Sequence, residues 1–333
     1  MSKTKISPRK LVRVALIVLL VFIILCSGTY LLHWWDQRQG AFAPSDENQE
    51  MTSTVTYDGK EYVLKDRVES FLVLGLDKFE EDVDNSAYIN DQQSDFLMLF
   101  VFDNEAKTCA ALHINRDAMV DINVLGVAGQ KIDTVNKQLA LAHTYGNGRE
   151  VSCRNTSDAV SGLLRGMKIN HYASLTMDSV AIFNDLVGGV EVQVLDDFTG
   201  IDDTLVKGET VTLRGEQALT YVRSRKGMDD STSSARMDRQ QQYIKALYRS
   251  TKTMMDQDDE FVVDATLKMK DYLVTDRTVT QLQTLLEKVT TYEFTGVRSL
   301  EGESKLGEKF VEFYPDEDSV EQQVIELFYE PKA

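Results

Sequence analysis

FLVLGLDKFEEDVDNSAYINDQQSDFLMLFVFDNEAKTCAALHINRD, residues 71–117, contains three apolar runs of strand length, each meeting polar residues at one end. The first, 71–76, stops at Asp77; the second, 96–102, is introduced by Ser94-Asp95; the third, 108–114, ends in Asn115-Arg116-Asp117. Short apolar runs bounded by turn residues read as buried strands. Three neighbouring strands would deliver Asp77, Asp95, Arg116 and Asp117. Taken singly, each polar end is also what an ordinary turn looks like, and Asp117 reads equally well as a turn cap.

Outward toward the C-terminus, residues 219–242 read LTYVRSRKGMDDSTSSARMDRQQQ. Tyr221 to Arg225 has strand character, so Arg223 and Arg225 are expected on one face of a strand. After a loop rich in Asp, Ser and Thr comes a helical run in which Arg236, Arg239 and Gln240 fall at i, i+3 and i+4. Guanidinium forks, an amide and a helix N-terminus converging on one spot suit a phosphate or pyrophosphate. The plainer reading pairs these arginines with Asp229, Asp230, Asp238 or Glu216. Residues 253–333 show helical patterns at 278–289 and 319–328 and strands at 292–297 and 310–313. Gly and Pro are too sparse there to mark a boundary. Strands alternating with helices make this an α/β chain, with 253–333 expected to pack on the same domain.

Outward toward the N-terminus, residues 54–64 suit a short hairpin around Asp58-Gly59. The first thirteen residues carry five bases and no acid, and residues 14–32 are uncharged and long enough to cross a bilayer. His33-Trp34-Trp35 follows as an interfacial belt. We read residues 1–35 as a basic tail and an uncleaved transmembrane anchor, 36–66 as an extracellular linker and 67–252 as the core. The positive flank places the chain after the anchor outside the cytoplasm. That part carries 31 bases against 53 acids, a formal charge of −22, which argues against nucleic acid. An anion site there must be a local basic pocket. Cys109 and Cys153 would both lie outside, where a disulfide is one option and free thiols the other. Histidine and cysteine spacing gives no support for zinc.

The set of motifs resembles the LytR-CpsA-Psr family. The G-x-D at 75–77, S-D at 94–95, R-D at 116–117, the tyrosine–glycine turn in 138–148, the D-x-x-G-G-V at 185–190, R-x-R at 223–225 and R-x-x-R-Q at 236–240 stand in the family's order over residues 71–242. The resemblance implies an α-β-α domain with a mixed central sheet flanked by helices, behind one transmembrane helix. It implies a phosphotransferase that moves a glycopolymer from an undecaprenyl-diphosphate carrier onto peptidoglycan. Asp77 and Asp95 would lie on the Mg²⁺ side, and Arg116, Arg223 and Arg225 would grip the diphosphate. Arg236, Arg239 and Gln240 would be its helix-borne partners, and Asp95 or Asp117 the base. The lipid tail would lie in an apolar channel beside the sheet, for which 96–102 and 175–187 supply residues. The chain departs from the family pattern at Gln93, where an arginine is usual, at Lys78-Phe79, and at Asn115, where proline is usual. Positive charge is therefore missing from the pocket. Asp229 and Asp230 share the place of a single family aspartate. Two other readings are a non-catalytic sensor of polyprenyl diphosphates and a hydrolase that gives the diphosphate bond to water.

Overall fold

The computed structural model describes residues 54–79, 88–224, 233–308 and 310–332. The expected anchor, Arg225, Asp229 and Asp230 lie outside them. In chain order the strands are β1 (Thr54–Tyr57), β2 (Lys60–Leu64), β3 (Val68–Leu76), β4 (Ser94–Asp103), β5 (Thr108–Ile114), β6 (Met119–Leu125) and β7 (Lys131–Gln138). A 3-10 turn (Leu139–Thr144) leads to α1 (Glu150–Leu163), β8 (His171–Thr176), α2 (Asp178–Leu186), β9 (Val190–Gln193) and β10 (Thr210–Leu213). Then follow α3 (Glu216–Arg223), α4 (Ser233–Gln257), α5 (Phe261–Met269), β11 (Leu273–Thr275), α6 (Val279–Thr291) and β12 (Glu293–Ser299). β13 (Gly302–Leu306), β14 (Val311–Pro315), α7 (Glu317–Phe328) and β15 (Tyr329–Pro331) close the chain.

Six strands in the order β11-β8-β3-β4-β5-β12 form the central mixed sheet. The three strands of the opening stretch are its middle, β4 running antiparallel between β3 and β5. β8 lies parallel to β3, and β12 parallel to β5. Alternation along each strand sends the side chains to opposite faces. On one face Leu72, Leu74, Leu97, Leu99, Leu112 and Ile114 join Val160 of α1 and Val324 and Phe328 of α7 in a closed core. The opposite face carries Phe71, Phe102 and Cys109, against which Leu282 and Leu285 of α6 pack.

Residues 219–223 are helical and not a strand. Ala218, Leu219, Tyr221 and Val222 are buried in α3, a helical spacing that tertiary contact favoured over the β propensity of Tyr and Val. Arg223 therefore ends a helix, and the shared strand face drawn for Arg223 and Arg225 does not exist. The two cysteines are free and buried. They belong to different cores, Cys109 to the Phe71 cluster and Cys153 to the Leu72 cluster, so no bridge joins them. No helix among the described residues is long and apolar enough to cross a membrane.

Candidate functional site

Strand direction assembles the site. β3 and β5 end on the same sheet edge where β4 begins, shown by the pairs Leu76–Ser94 and Leu97–Ile114. Asp77, Asp95 and Arg116 therefore leave neighbouring strands together. Arg116 pairs with Asp95 through Nη1, donates from Nη2 to Gln93 Oε1 at 2.6 Å, and has Nε 3.6 Å from Asp117 Oδ1. The position where the family usually has an arginine thus holds an amide that accepts from one. Arg223, at the end of α3, donates to Asp77 Oδ1 at 2.9 Å, and both side chains are more than half exposed. An ion pair so open is worth little by itself and exchanges readily for another charged partner.

Asp117 is buried, and Gln138 Nε2 donates both to its Oδ1 at 3.2 Å and to the Val311 carbonyl at 2.7 Å. Its carbonyl accepts from Phe313 N–H at 2.9 Å, which ties β14 to the site's flank. Gln138 opens the tyrosine–glycine segment in the sequence, but nothing in its spacing marks it as this bridge.

The helix-borne residues sit deeper. Arg239 is 0% exposed: Nε donates to the Tyr221 carbonyl at 2.9 Å, Nη2 to the Ser224 carbonyl, and Nη1 pairs with Asp196. Its whole fork is engaged in holding the end of α3 to α4. Asp196 carried no sequence signal that set it apart from Asp197 beside it. Gln240 is buried and donates to the Val222 carbonyl at 3.1 Å. Arg236 is also buried; burial first, and then the Arg236 charge, hold the enclosed His113 imidazole down to about 3, hence neutral. Asp185 accepts from Gly215 N–H at 2.7 Å and ties α2 to the start of α3, a structural part.

An apolar cavity of about 340 Å³ lies between the sheet and α4 to α6. Phe96, Phe100, Met177, Phe183, Tyr248 and Leu285 line it. Gly75, Phe96 and Val222 are also in its wall. They stand two residues from Asp77 and directly beside Asp95 and Arg223. The charged cluster is thus continuous along the chain with the cavity wall. Gly75 is needed there for space, since a Cβ would come within 2.9 Å of Phe96 Cβ.

A model of the LytR_cpsA_psr family matches residues 35–326. The chain belongs to the LytR-CpsA-Psr family. One relative, the polyisoprenyl-teichoic acid–peptidoglycan teichoic acid transferase TagU of Bacillus licheniformis, is 26% identical over 251 residues, covering 74% of this chain and 72% of its own. TagU of Bacillus subtilis is 24% identical over 247 residues with the same coverage. Among solved structures, Bacillus subtilis TagV superposes with a TM-score of 0.58 at 23% identity, over 79% of this chain and 97% of TagV. A TagT structure with bound octaprenyl pyrophosphate lipid gives a TM-score of 0.56 at 22% identity, over 79% and 90% of the two chains. At these identities the structures share the LytR-CpsA-Psr fold, a mixed sheet between helices.

Proposed function

We propose that this protein is an extracytoplasmic, membrane-anchored phosphotransferase. It would move a glycopolymer from an undecaprenyl-diphosphate carrier to peptidoglycan, at a muramic acid hydroxyl, and release undecaprenyl phosphate. The observation that carries this reading is the adjoining of Asp77, Asp95, Arg116 and Arg223 to an apolar cavity whose wall includes Gly75, Phe96 and Val222. An amphiphile with a diphosphate head and a prenyl tail matches that division of surface. The names of the TagU relatives and the prenyl pyrophosphate bound to TagT agree with it.

Arg116, paired with Asp95 and Asp117, and Arg223, paired with Asp77, are the cations that would exchange a carboxylate for phosphate oxygens. Arg225 would add to them. Arg236 and Gln240 would act from beneath the head group, while Arg239 holds the scaffold. The acceptor hydroxyl would form a new P–O bond to the glycan-side phosphorus as the bond to the lipid phosphate breaks. Its proton would pass to a carboxylate. Asp95, with 22% of its side chain accessible against 9% for Asp117, is better placed to reach an acceptor. Asp117 is committed to Gln138 and Arg116.

Asp77 and Asp95 suit Mg²⁺ by donor chemistry, because that ion is commonly held by one or two carboxylates, with substrate phosphates and water completing its shell. Among the described residues no group of three or more His, Cys, Asp or Glu could hold a metal ion by itself. When bound it would offset charge developing on the phosphate oxygens.

The test incubates the full-length protein in nanodiscs with Mg²⁺, an undecaprenyl-diphosphate glycan and peptidoglycan oligomers. Undecaprenyl phosphate should be released as glycan becomes attached to the oligomer, and Asp95→Asn or Arg223→Ala should lower the rate by about 10²–10³-fold. Release without attachment would show hydrolysis. Binding without release would show a sensor.

A further inference from the structure

The segment that delivers Gln93 and Asp95 is tied down by side chains of its own and of the following turn. Asn90, 5% exposed, points its Nδ2 at the carbonyls of His143 (3.0 Å), Thr144 (3.1 Å) and Gly146 (3.4 Å) and at Ser152 Oγ (3.2 Å). Its Oδ1 accepts from Gln92 N–H at 2.9 Å, and its own N–H donates to the Thr144 carbonyl at 2.7 Å. The next tie is His143, fully buried, whose Nδ1 lies 3.0 Å from the Gln92 carbonyl. A carbonyl can only accept, so Nδ1 carries the proton and Nε2 is left as an acceptor, facing the Cys153 thiol at 3.7 Å. Burial keeps both neutral, with the imidazole held down near 4 and the thiol pushed up to about 12. Gly148, at φ +69°, lets this corner close: a Cβ there would come within 3.2 Å of the Gln92 amide.

Satisfied polar networks in a buried setting admit few alternative geometries. Residues 90–92 are thus fixed from three directions, and Gln93, Ser94 and Asp95 leave them along a single path. We propose that Asn90 and His143 are positioning residues of the head-group site, aiming Gln93 and Asp95 at Arg116 and so setting how firmly the site grips a diphosphate. This inference rests on reading the sheet edge as a prenyl-diphosphate site.

The test measures binding of farnesyl diphosphate and of farnesol, which share a tail and differ in the head, to the full-length protein in nanodiscs. Asn90→Ala and His143→Ala should each weaken farnesyl diphosphate about tenfold and leave farnesol within about twofold, because the cavity is untouched. His143→Gln, whose amide can still donate to the Gln92 carbonyl, should recover most of the loss. Arg116→Ala should lose at least as much, and adding Asn90→Ala to it should cost nothing more, since both changes act through one contact. If His143→Ala does not fold, Gln93→Leu removes the delivered contact and leaves the buried network intact, and the same loss is expected of it. Equal weakening of both probes, unchanged diphosphate affinity, or additive losses with Arg116→Ala would each overturn the positioning role. If Arg116→Ala itself leaves diphosphate affinity unchanged, the head-group reading falls and this inference falls with it.

Discussion

The two faces of the central sheet are built from the same three strands and are packed differently. Leu72, Leu74, Leu97, Leu99 and Leu112 face α1 and α7 with no exposure. Phe71, Phe96 and Phe100 on the other face stand around a cavity of about 340 Å³ under α4 to α6. Alternation along a strand permits both arrangements. Leucines interdigitate with helix side chains and fill space, whereas large rings spaced under helices hold them off and leave a gap between. One face is filled and the other keeps an open cavity.

Substitutions should separate the two faces by size of effect. The largest loss is expected where the cavity side closes over a charge. Arg239→Ala strips Asp196 and two carbonyls of their partner and should cost about 3–5 kcal/mol of stability in a denaturant titration. Next, Leu99→Ala in the closed face should cost about 3 kcal/mol, because the surrounding leucines cannot collapse into the space.

Acid should act on both faces. His143 and His113 are buried neutral, with folded-state pKa values near 4 and 3 against an ordinary 6.5. The unfolded chain therefore takes up protons first as pH falls. The stability each histidine contributes is complete above about 6.5 and is lost progressively toward its folded value. Each should remove about 2 kcal/mol between pH 7 and pH 5. Replacing either by glutamine should flatten that part of the pH dependence by the same amount. The smallest effect is expected for Phe100→Ala, about 1 kcal/mol, since the ring already borders open space. That variant should bind a bulkier prenyl probe more tightly. A cost for Phe100→Ala equal to that for Leu99→Ala would mean that the two faces are packed alike, and the comparison would fail.

Much of the charged cluster is legible in the sequence. Asp77, Asp95 and Arg116 each stood at a polar boundary of an apolar run, and the antiparallel order of three strands brings such boundaries to one edge. Arg223 stands out in the sequence by its charge pattern, whereas its backbone is helical where the local residues favour a strand. Tyr-Val-Arg favours a strand locally, and only the burial of Ala218 and Leu219 alongside Tyr221 and Val222 shows a helix. Less accessible were Asp196, Gln138 and Asn90. Each acts through a partner 21 to 53 residues away, as in Arg239–Asp196, Gln138–Asp117 and Asn90–His143.

By itself the sequence determined the three central strands, the edge on which their charged ends gather and the family to which the chain belongs, because these depend on local apolar runs and on motifs in order. Tertiary structure decided which arginine is sealed in the scaffold and which is open to solvent, and which sheet face stays open. Those outcomes depend on burial and on long-range partners. Arg239 and Arg223 are the same residue type sixteen positions apart, yet one is sealed against Asp196 and the other is half in solvent beside Asp77.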